Sequence, residues 1–99
     1  MSNFIFTLPT DFADYEWEVI AKGYFSDARM TVSGKHYQLN FYDTTRLGQE
    51  IESELERGGV FFESNVVIIR SVTKSNMESA VEHLMQSGQV NSLTPDVKP

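Results

Sequence analysis

Hydrophobic and polar residues alternate along the N-terminal part of the chain. From Asn3 to Leu8, Phe4, Phe6 and Leu8 fall on one side and Asn3, Ile5 and Thr7 on the other, and Pro9 ends the run because it cannot donate to a sheet ladder. This predicts a first strand. After Pro9-Thr10-Asp11, residues 14 to 25 alternate again, with Tyr15, Trp17, Val19 and Ala21 opposite Asp14, Glu16, Glu18 and Lys22. The pattern predicts a long strand with one wet face and Trp17 in the core. Ser26-Asp27 then reads as a turn. Ala28, Met30 and Val32 lead to the tight turn Ser33-Gly34-Lys35, and the return strand directs Tyr37, Leu39 and Phe41 inward and His36, Gln38, Asn40 and Tyr42 outward.

The period changes after Asp43, which can cap a helix by accepting from free backbone N–H groups. Leu47, Ile51 and Leu55 recur every four residues, and Gly58-Gly59 ends the helix. Val66-Val67-Ile68-Ile69 is β-branched throughout, which predicts a strand inside the sheet, covered on both faces. Ser75-Asn76-Met77-Glu78 matches a capping box, and Met77, Val81, Leu84 and Met85 form the stripe of a second helix ending at Gly88. The sum is an α+β fold in the order β-β-β-β-α-β-α, an antiparallel or mixed sheet of about five strands with two helices packed on one face. Residues 1–88 make a single domain. Residues 89–99, with two prolines and no period, form a flexible C-terminal tail.

Composition narrows the function more by exclusion than by assignment. Ninety-nine residues suit one core and leave no room for a second domain. The absence of cysteine excludes disulfides, thiolate metal sites and cysteine nucleophiles, and it fits a reducing compartment, so a cytoplasmic location is expected. The N-terminus lacks a positive n-region and an unbroken apolar stretch, so no signal peptide is expected. No run is long enough to span a bilayer. A net charge of -6 argues against affinity for nucleic acid or anionic membrane and favours a basic partner. Two distant histidines, His36 and His83, predict no metal site, and no cofactor-binding motif or activated-nucleophile signature is present. The chain is therefore expected not to be an enzyme.

The candidate binding residues are acidic. Glu50, Glu52, Glu54 and Glu56 occupy every second position of the first predicted helix, so Glu50 and Glu54 share one flank and Glu52 and Glu56 the other. A solvated face with Arg46–Glu50 and Glu54–Arg57 pairs explains the same pattern. Asp14, Glu16 and Glu18 form a row on the predicted strand, which could bind a partner or simply prevent edge-to-edge pairing. Tyr42 belongs to the wet face of the sheet. Phe61 and Phe62 are consecutive and should point to opposite faces, so one of them can serve as an exposed anchor beside Glu63.

In size and charge the chain resembles bacterial immunity and antitoxin proteins, which block a toxin by covering its active surface. That resemblance implies an inhibitor, a monomer or homodimer, that neutralises a basic nuclease-like toxin with these acids. The alternatives are a small ligand-binding protein or enzyme with a pocket between sheet and helices, and a subunit of a larger assembly.

Overall fold

The computed structural model describes residues 3–96 and shows an α+β chain whose elements are β1 (Phe4–Thr7), α1 (Phe12–Lys22), β2 (Tyr24–Val32), β3 (Lys35–Tyr42), α2 (Thr44–Gly58), β4 (Val66–Ile68) and α3 (Lys74–Ser87). The sheet is mixed, in the order β1-β2-β3-β4. β1 and β3 flank β2 antiparallel, and β4 lies parallel to β3 with Asn40 opposite Val66 and Tyr42 opposite Ile68. Four strands and three helices thus stand where about five strands and two helices were expected.

The main correction is α1. Of the strand expected over residues 14 to 25 only Tyr24 and Phe25 belong to one, the start of β2, and residues 14 to 22 are helical because Phe12, Tyr15 and Val19 repeat at helical spacing and carry the contact with the core. Backbone at Tyr15 departs from helical geometry, so the first turn is kinked against the rest. The alternation of Tyr15, Trp17, Val19 and Ala21 is therefore incidental. Trp17, expected in the core, is 70% exposed. Asp14, Glu16 and Glu18 do not make a row, since residues two apart on a helix point in different directions.

Ser26-Asp27 is not a turn either. β2 runs through it with one extra residue relative to β3 between Phe25 and Ala28, which is a β-bulge, and the Gln38 side chain donates to the Ser26 carbonyl at 2.8 Å. The hairpin at Ser33-Gly34 is as expected, with both residues at positive φ.

The core lies between one face of the sheet and the helices α1 and α3. Ala28, Met30, Leu39 and Phe41 are buried there against Val72, Met77 and Val81. Met77 and Val81 come from α3, whose cap is Thr73, accepting from the Asn76 amide at 3.0 Å, and not the expected box at Ser75. The helices do not share one face. α2 buries no residue fully, and its first turn lies on the opposite side of the sheet, where Arg46 sits over the Tyr24 ring. A parallel β3–β4 pair requires a crossover, and α2 with the loop that follows it supplies one across that face.

Two expectations about the periphery also change. β4 is three residues long and lies at the sheet edge, with Ile68 51% exposed, although its β-branched run suggested an interior strand. Residues 89–96, read as unstructured, include a 3-10 turn at Gln89–Ser92 that buries Val90 and packs Leu93 on the core. Asn65 exchanges hydrogen bonds with the Thr94 backbone, and the Asp96 amide donates to the His36 carbonyl at 2.7 Å. Residues 97–99 of the predicted tail lie outside the described residues. Among the described residues no helix is long and apolar enough to cross a membrane.

Candidate functional site

The residues that converge most closely belong to α2, the end of β3 and the loop between α2 and β4. α2 starts where Asp43 turns its carboxylate onto the Arg46 amide at 2.8 Å, as predicted. That start directs Arg46, Glu50 and Glu54 along one flank of the helix at successive turns. Arg46 bonds Glu50 through both Nε at 3.1 Å and Nη2 at 3.0 Å, and Arg57 pairs with Glu54. Both ion pairs expected from the sequence form.

Tyr42 is on the face opposite the core, as predicted, yet it is only 3% exposed because α2 and the loop 60–64 fold over it. Its ring packs 4.8 Å from that of Tyr24, whose other neighbour is the Arg46 guanidinium at 5.7 Å. The Tyr42 hydroxyl donates to Glu63 Oε1 at 2.6 Å. Burial first, and then the hydrogen bond to Glu63 and its negative charge, push the phenol above its ordinary value of 10.0. Asn40, also expected on the wet face, is buried and donates to the Ser64 carbonyl at 2.8 Å, which ties the same loop to the sheet.

These contacts enclose a hollow of about 320 Å³ lined by Tyr42, Glu50, Glu54 and Glu63, with Val60, Phe61 and Phe62 on its loop side. Three of the eight candidate residues, Tyr42, Glu50 and Glu54, therefore meet in one place. Glu52 and Glu56 lie on the exposed face of α2 away from it. Asp14 and Glu18 are exposed on α1, and Glu16 accepts from the Lys74 amide at 2.8 Å, so that it anchors the start of α3.

The loop decides what the hollow can do. Phe62 is 85% exposed and Val60 is also exposed, while Phe61 is half-buried, so the consecutive aromatics divide between surface and interior as their spacing suggested. Arg46 and Arg57 offset Glu50 and Glu54, so the three carboxylates leave one net negative charge beside the exposed aromatic, which suits a single cationic side chain that the ring face accommodates. Val60 and the role of Glu63 in closing the hollow were not legible, because both depend on how the loop folds back. Among the described residues no three His, Asp or Glu side chains stand close enough to hold a metal ion. No protein-family model, no curated protein and no solved structure matches the chain.

Proposed function

We propose that this chain is an acidic protein-binding domain that docks a basic partner at the hollow between Tyr42, α2 and the loop 60–64. The observation that carries this reading is the convergence of Glu50, Glu54 and Glu63 beside an 85% exposed Phe62. A lysine or arginine of the partner enters the hollow, and Phe62 with Val60 packs on the apolar surface around it. The net charge of -6 speeds encounter with such a partner and disfavours acidic ones. Neutralisation of a basic, nuclease-like toxin in the manner of an immunity or antitoxin protein is the form of this activity that fits the chain's size and charge.

The test is capture of partners from lysate of the source organism with the native chain and with a Glu50→Lys, Glu54→Lys variant. The proposal expects a stoichiometric basic protein with the native chain and its loss with the variant. A partner that is acidic, or one retained by the variant, refutes it.

A further inference from the structure

A second surface owes nothing to the acidic hollow. β4 is an edge strand, and its hydrogen bonds to β3 determine which of its backbone groups are free. The Asn40 amide donates to the Asn65 carbonyl and the Ile69 amide to the Tyr42 carbonyl, each at 2.9 Å. In a parallel ladder alternate residues face the neighbouring strand. Asn65, Val67 and Ile69 therefore turn their backbone groups toward β3, and Val66 and Ile68 turn theirs away. Among the described residues none hydrogen-bonds to the outward N–H or C=O groups of Val66 and Ile68.

This free edge forms one wall of a groove of about 690 Å³. Val67 and Ile69 line it from the sheet, Ala80 and Leu84 from α3, and Leu93 from the segment after the 3-10 turn. A strip of unpaired donors and acceptors beside an apolar trough is complementary to an extended backbone carrying apolar side chains at alternate positions. A helix offers no free main-chain groups to meet it.

We infer that β4 binds an extended peptide segment of another protein by strand addition, with every second side chain of the peptide entering the groove. A second copy of this chain is the poorer occupant. Each copy carries a charge of -6, so two copies repel as they approach. The same charge makes the peptide neutral or basic rather than acidic.

The test uses a phage-displayed library of random linear peptides selected on the full chain. The inference expects enriched peptides with apolar residues at alternate positions, whose synthetic forms bind about tenfold more weakly to Ile68→Pro. That substitution removes an outward N–H and leaves the bonds to β3, a position where an edge strand tolerates proline. N-methylation of successive peptide amides needs no change in the protein. Affinity should fall about tenfold at alternate positions only. The inference is overturned if no peptide is enriched, if N-methylation shows no alternation, or if sedimentation shows a homodimer that Ile68→Pro dissociates.

Discussion

The Gly23 carbonyl accepts a hydrogen bond from the Asp43 amide at 2.9 Å, and the Asp43 carboxylate occupies the space where a Cβ on residue 23 would stand. One contact therefore joins the end of α1 to the start of α2. Gly23 sits at φ 71°, in the left-handed conformation that closes α1, and Asp43 caps α2, so both helix ends depend on the absence of a side chain at 23. The position of Glu50 and Glu54 relative to Tyr42 follows from that cap.

Gly23→Ala accordingly costs more than backbone strain alone. A built Cβ would lie 2.6 Å from Asp43 Oδ1, whereas at Gly88, with a similar φ of 79°, nothing lies within 4 Å. Gly88→Ala is expected to lose about 1–2 kcal/mol from the left-handed conformation. Gly23→Ala is expected to lose about 2 kcal/mol more, as Asp43 is displaced from its cap. Urea unfolding of the two variants checks the difference.

Tyr42→Phe removes the bond to Glu63 and should lower stability by about 1–2 kcal/mol near neutral pH, measured by urea unfolding. The pH dependence follows from the raised phenol. A group whose folded pKa lies above its unfolded value contributes stability that is complete below the unfolded value of about 10 and is lost as pH rises through the folded one. The native chain should lose stability above about pH 10 more steeply than Tyr42→Phe, and the two curves should converge there.

Trp17 is the only tryptophan, so its indole reports one place. Exposure of 70% predicts emission near that of free indole, ready quenching by acrylamide, and a Trp17→Ala stability within about 0.5 kcal/mol of the native chain. A buried, unquenched indole would restore the core position that alternation suggests.

That same stretch shows where the sequence can be read and where it cannot. α2 and α3 are legible because their stripes, Leu47-Ile51-Leu55 and Met77-Val81-Leu84, repeat at helical spacing over several turns, each with a cap before it and glycine after it. α1 carries two periods at once, and the one that wins is set by Phe12 and Val19 meeting Phe25 across the core, a tertiary choice. Gly23 was the local signal for a helix end there. The site divides in the same way. Glu50 and Glu54 share a flank by i, i+4 geometry alone, but their meeting with Tyr42 and Glu63 depends on a loop that crosses the sheet. The edge position of β4 was likewise hidden, since β-branched residues suit an interior strand and this one equally.

The docking of a basic partner at the hollow is tested most directly by amide NMR of the labelled chain titrated with the captured partner. The account predicts shifts concentrated at Tyr42, at Glu50 and Glu54, and along the loop 60–63, with the Trp17 indole unmoved. Shifts gathered on Trp17 and the outward face of α1, with the loop unaffected, would contradict it.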